Sequence, residues 1–220
     1  DEMQDTNGGY YSALDADSEG VEGKYYIWSY DELKHILNDD IKFFSDFFNI
    51  EKQGNWEGSI ILSRYKNLHI ETKDEIKLQK LLAKINKQRQ KRIRPQLDDK
   101  ILTDWNALTI EAMAYFGKIL KSDKYLKSAE SSFKFITKNM LLDNKLYHSS
   151  CKGINKHLGM LDDYVYFIKA GLMLYEVTND DNYLSLTIKL TETVLADFSL
   201  KNSGFSNNSF NHKDIILRSV

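Results

Sequence analysis

The 220 residues hold 30 basic and 32 acidic side chains, and a net charge of −2 argues against a polyanion such as nucleic acid, or an acidic membrane surface, as partner. A single proline, Pro95, stands where average usage near 5% would give about eleven, which points to a strongly helical chain. The lone Cys151 excludes an intrachain disulfide and a cysteine-built zinc site and suits a reducing, cytoplasmic setting; Lys169 interrupts the richest apolar run, Val165–Tyr175, so no membrane span is expected.

The chain opens on an acidic stretch without a basic leader, so no signal peptide is expected. Gly9–Ala13 and Lys24–Trp28 are short, aromatic-rich and separated by a polar turn, which predicts a pair of strands. Ser29 and Glu32 form the capping box of a helix whose apolar stripe is Leu33, Ile36 and Leu37. A second apolar segment runs over Ile41–Phe48, and Gly54–Gly58 brackets a loop before the strand-like Ile60–Leu62. From residue 72 the pattern is plainly helical. Thr72 and Glu75 suggest another capping box, and Leu78, Leu81, Leu82 and Ile85 recur at helical spacing until Pro95 stops the helix.

After Pro95 the sequence repeats. Asp104-Trp105 aligns with Asp163-Tyr164 at an offset of 59, and Asp123, Tyr125 and Leu126 align with Asp181, Tyr183 and Leu184 at 58. Each copy reads as helix, turn, helix, then a polar hairpin. Trp105, Leu108, Ala112, Phe116 and Ile119 are the expected face of the first helix; Leu126, Ala129, Phe133, Ile136 and Met140 that of its partner. In the second copy Tyr164–Val177 is apolar nearly all round, so burial on most sides is expected. Its partner, with Leu184, Ile188, Thr191, Leu195 and Phe198, is amphipathic and should lie outside. Stacked helical hairpins follow, either as an open solenoid or as a closed double ring. Alternation of buried and one-faced helices favours the ring. Two clear copies cannot close one, so the chain is expected to be an internal piece of a larger protein. It is read as part of one domain, with an irregular portion (1–70), a helix and acidic loop (71–103), and repeated hairpins (104–162 and 163–220).

Chemistry-bearing residues concentrate at the expected starts of the buried helices. Asp98, Asp99, Lys100, Trp105 and Asn106 precede or open the first, and Asp162, Asp163 and Tyr164 open the second. Helix N-termini stabilise carboxylates for structural reasons alone. Two sets at one end of an array, beside aromatic rings, also supply what a sugar site needs: acid–base groups and flat faces for stacking. Asp99 and Asp163 are the candidate bases, and Trp105 and Tyr164 the platforms. Asp15-Ala16-Asp17-Ser18-Glu19-Gly20 opens like a calcium loop, but Tyr26 stands where the bidentate glutamate belongs. It reads as an acidic turn, or as a loop placing Asp15 and Asp17 over a cleft. Trp56 is a further candidate wall. Six basic residues between Lys84 and Arg94, without interleaved aromatics, read as a solvated helix face. His35, His69, His148, His157 and His212 show no metal-ligand spacing, although His148 and His157 flank the second helix start. No metal or cofactor is expected.

Taken together, Gly9 to Gly20, Glu22 to Trp28, Gly54 to Gly58, the run from Arg94-Pro95 to Trp105-Asn106, and Leu161 to Tyr164 resemble the family related to spermatogenesis-associated protein 20. Bacterial members of that family join an N-terminal thioredoxin-like domain to a helical domain similar to the six-hairpin toroids of glycosidases and N-acylglucosamine epimerases. The resemblance therefore implies a mainly α fold, a partial (α/α) toroid with short β-hairpins, and a thioredoxin-like domain elsewhere in the parent protein. It implies no particular reaction. The histidine pair of the epimerases has no clear counterpart, and Ala107 stands where the pattern has glycine. Two functions are expected: a carbohydrate-type ligand cleft, with glycosidase-like or sugar-isomerase-like acid–base chemistry if catalytic, or a non-catalytic scaffold for the thioredoxin-like domain.

Overall fold

The computed structural model describes residues 2–64, 67, 71–200 and 204–210. His69 and His212, and the end of the second repeat at 211–220, lie outside the described residues. Two compact units are present, one of residues 1–13 with 98–220 and one of residues 14–97, each with its own apolar core.

Two-residue strands come first: β1 (Ala13–Leu14), β2 (Asp17–Ser18) and β3 (Val21–Glu22). The second unit then continues through α1 (Tyr30–Leu37), a 3₁₀ turn at Asn38–Asp40, α2 (Ile41–Ser45) and α3 (Thr72–Arg89). The Asp15–Gly20 motif is the tight β2–β3 hairpin. Asp15 Oδ1 accepts the Asp17 amide, and Glu19 and Gly20 take positive φ at the turn. The expected pairing of Gly9–Ala13 with Lys24–Trp28 does not form. Lys24–Tyr26 is a turn, and of that segment only Trp28 bridges, to Ile60.

That segment is held instead by the basic run. Arg92 donates to the carbonyls of Lys24, Tyr25 and Ile27 and to Glu32, with its guanidinium 4.0 Å from the Trp28 ring centre. Arg89 lies over Tyr25 and Tyr26 at 5.6 and 5.5 Å. Lys84, Lys87 and Lys91 are exposed, as a solvated face requires, but Arg89 and Arg92 serve as packing groups, and there the reading is corrected. Their aromatic partners are about sixty residues away in sequence, so local spacing hid them.

Ser29 caps α1 with the full reciprocal box. The Thr72–Glu75 box does not form: Thr72 is already inside α3, and Glu75 instead binds Arg64 and Gln79. α3 buries Leu78, Leu81 and Ile85 against Leu33, Leu37, Phe44 and Ile60, but it ends at Arg89, well short of Pro95. Gly54 opens the loop that leads to Ile60, ahead of α3. At φ +83° a Cβ there would stand 2.5 Å from the Gly58 carbonyl carbon, so only glycine fits.

The first unit resumes with β4 (Leu97–Asp98), which pairs with β1, and β5 (Ile101–Leu102). Two helical hairpins follow, as the repeat predicts. They are α4 (Thr103–Ile119) with α5 (Asp123–Asn139), and, after β6 (Leu141–Leu142), β7 (Lys145–Cys151) and β8 (Ile154–Leu158), α6 (Leu161–Thr178) with α7 (Asp181–Asp197). α4 packs on both α5 and α6, and α6 on α7. The leading helices are therefore inner neighbours, each backed by its own second helix. Phe133 of α5 stacks on Phe167 of α6 at 4.5 Å.

Two of the expected faces are corrected. α4 buries Thr103, Asn106, Ala107, Ile110, Ala114 and Gly117, whereas Trp105, Leu108, Phe116 and Ile119 are about half exposed. α7 buries Thr187, Leu190 and Val194 and exposes Ile188, Thr191 and Leu195. Side-chain bulk misled the reading: close helix approach selects small residues, so Ala107, Ala114 and Gly117 face inward while the larger side chains do not. α6 also keeps an exposed stripe, Asp162, Val165, Lys169, Leu172 and Glu176; two of its residues pair with α4 as Lys169–Glu111 and Glu176–Lys118. Among the described residues no helix is long and apolar enough to cross a membrane.

Candidate functional site

The first turns of α4 and α6 converge with β7 on a group of three side chains. Asp104, His148 and Asp163 each bring one nitrogen or oxygen within 4.8 Å of the others. Asp163, 1% exposed, stands three residues into the turn opening α6, and its Oδ2 accepts the Met160 amide at 2.8 Å. Its Oδ1 accepts the Asp104 amide from α4 at 3.1 Å, a donor left free by the helix start. His148 Nδ1 sits 3.1 Å from both carboxylate oxygens, which orients the ring. Nε2 has no hydrogen-bond partner among the described residues, so it is free for a ligand.

Electrostatics follow from this geometry. The hydrogen bond to Asp163 raises the His148 pKa above its usual value; partial burial opposes this, and the charges of Asp163 and Asp104 add to it. Burial and then the Asp163 charge push the Asp104 carboxyl up, against the pull of the Trp105 amide and His148. A cationic imidazole beside two carboxylates is thus favoured, with Nε2 the ring atom left to give or take a proton. Two carboxylates and an imidazole are also a donor set suited to a divalent ion; here both Asp163 oxygens are taken by N–H donors.

The other residues expected at the site divide. Trp105, next in chain to Asp104, is 52% exposed. Asp162 is exposed at the start of α6. Tyr164 is not an open platform: it is 3% exposed, its ring packs edge-on to Phe198, and its hydroxyl accepts the Leu146 amide. Asn106 is buried and spent on structure. Its Oδ1 accepts the Tyr10 amide and the Ser132 hydroxyl, while Nδ2 donates to the Tyr10 and Leu102 carbonyls.

Asp99, the other expected base, has a different neighbourhood. It accepts the Cys151 thiol at 3.2 Å and faces Lys152 at 3.6 Å, so the two candidate bases share no partner. The Asp99 carboxylate also pushes the Cys151 thiol up, away from thiolate chemistry. Asp98 and Lys100 pair with each other at 3.0 Å, which holds the Asp98 carboxyl below its usual range. Asp15, Asp17 and Trp56 belong to the second unit. Sequence reading passed over His148 as a catalytic residue and Asp104 as a site residue. For His148 the available signal was its closeness to the α6 start; for Asp104, its match to Asp163 in the repeat.

No protein-family model matches the chain. It is 28% identical to an uncharacterised protein of Caenorhabditis elegans over 84% of its length, and 25% identical to the human and mouse spermatogenesis-associated protein 20 over 85%. These relatives bear out the resemblance read from the motifs. The chain spans 31% of the length of the nematode protein and 29% of the mammalian ones. Among solved structures, a cellobiose 2-epimerase of Bacillus thermoamylovorans is similar over 91% of this chain and 52% of that one, at 14% identity and TM-score 0.46. An alpha-amylase of Clostridium perfringens is similar over 48% and 29%, at 15% identity and TM-score 0.38.

Proposed function

We propose that the N-terminal end of the inner helices binds a carbohydrate-type ligand, with His148 as its acid–base group. The observation that carries this reading is the His148–Asp163 pair, which engages Nδ1 and leaves Nε2 unpartnered among the described residues, with Asp104 in the same group. Asp163 acts as the positioning residue. When Nδ1–H is donated to Asp163, Nε2 takes a proton from a ligand hydroxyl or an acidic C–H; protonated, it returns one. Asp104, with its raised pKa, is a second donor or acceptor, and the exposed Trp105 indole suits the C–H side of a sugar ring. On this reading the chain is part of an α/α toroid in a cytoplasmic protein whose thioredoxin-like domain lies elsewhere. Isothermal titration with glucose, mannose and cellobiose tests it: saturable binding lost in His148→Gln and in Trp105→Ala supports the reading, and no binding of any of them overturns it.

A second reading has its own support. The half-exposed apolar row on α4, Trp105, Leu108, Tyr115, Phe116 and Ile119, suits a protein partner, and a scaffold for the thioredoxin-like domain would use such a face. Binding of that domain lost in Phe116→Glu, with no sugar bound, would favour the scaffold.

A further inference from the structure

A concavity of the first unit is lined by residues other than the His148 group. It encloses about 680 Å³ between α5, the β7–β8 hairpin and the N-terminal segment, a volume in the range of small-molecule sites. Two polar groups in its wall lack protein partners. Ser150 is 4% exposed, yet its hydroxyl makes no hydrogen bond with any described residue. Asn155 donates through Nδ2 to the Asn139 carbonyl, while its buried Oδ1 accepts nothing. Asn155 Oδ1 is closed to solvent, so the Ser150 hydroxyl is the group of this wall left for a hydroxyl-bearing or N–H-bearing ligand.

Charge adds a second requirement. Lys134 and Lys138, one turn apart on α5, stand at the mouth, and neither has an acidic partner among the described residues. Of the other charges of the lining, Lys152 faces Asp99, and Asp5, which accepts the neutral Tyr11 hydroxyl at 3.0 Å, keeps its negative charge. Lys134, Lys138 and Lys152 against Asp5 and Asp99 leave the lining with a net charge of +1, and the Phe135 ring stands beside them as an apolar wall.

We infer that this cavity binds an anionic polyol the size of a monosaccharide, its charged group held by Lys134 and Lys138 and a hydroxyl by Ser150. The inference does not rest on the sugar reading of the His148 site, since it uses other residues.

Isothermal titration of the whole chain with glucose 6-phosphate, gluconate, inorganic phosphate and glucose tests it, each to about 10 mM. Glucose 6-phosphate or gluconate should bind, the two arms distinguishing phosphate from carboxylate, with glucose and phosphate at least tenfold weaker, as expected when either charge-assisted or hydroxyl contacts are missing. The double variant Lys134→Ala/Lys138→Ala should weaken binding about tenfold or more, and Ser150→Ala a few-fold. Both surface lysines can be removed without disturbing the core, and circular dichroism checks the fold. Binding of none of the four, equal binding of glucose and glucose 6-phosphate, or loss in His148→Gln with retention in the lysine double variant would each overturn the inference.

Discussion

Asn106 and Asp163 show how single side chains here join distant segments. Replacing Asn106 by alanine strands the Tyr10 amide and carbonyl and the Ser132 hydroxyl in a buried place. A loss of about 2–4 kcal/mol is expected in urea unfolding. His148 makes a pH-dependent contribution. Its folded pKa lies above the ordinary 6.5, so stabilisation by the pair is full below that value and is lost as pH rises through the raised one. The stability difference between the wild type and His148→Ala should therefore be largest below pH 6.5 and shrink as pH rises through the raised value. A difference that grows with pH would show the pair to be wrongly assigned. Asp104 runs the other way at neutrality: a carboxyl raised from 3.8 loses stability once ionised. Above the His148 titration Asp104→Asn should gain about 0.5 kcal/mol, allowing for solvent screening, while still accepting the Trp105 amide.

At the scale of elements, the caps and faces separate what sequence can and cannot reveal. Ser29→Ala removes a working capping box and should cost about 1 kcal/mol, whereas Thr72→Ala, inside its helix, should change stability by less than about 0.5 kcal/mol. Thermal unfolding of the two variants checks the contrast. The same logic divides α4. Ile110→Ala should cost about 2–4 kcal/mol and Phe116→Ser less than about 1, although the bulkier residue looks more core-like in sequence. Helix existence, order and repeat offset were legible because apolar spacing and turns are local signals. Which of two apolar stripes faces inward was not, because the choice depends on how closely α6 and α5 approach α4. Gly117 illustrates that closeness, since a Cβ there would lie 3.1 Å from the Leu126 nitrogen across the α4–α5 contact. The site was half legible for a related reason. Asp163 announced itself by its helix start, but His148 sits in a strand, and only the folding of β7 against the α6 turn brings it to the carboxylate.

Across the whole molecule, two separate cores predict separable stability. Phe44→Ala empties part of the second unit's core and should strip amide-exchange protection from α1 and α3 while α4 and α6 keep theirs. Simultaneous loss in both units would show a single cooperative block. The division of the chain into 14–97 and the rest was not legible in sequence, because β1 and β4, which stand at its edges, are only two residues long. Within the first unit the repeat has a consequence for how such an array can grow. The Asp163 carboxylate closes on the free amide of Asp104, and Asp104 is the matching residue of the preceding copy. Each hairpin therefore carries both halves of the joint, an acceptor in its carboxylate and a donor in its backbone. Duplicating one hairpin duplicates the means of attaching it, so a new copy arrives with its seam to the previous one already complementary.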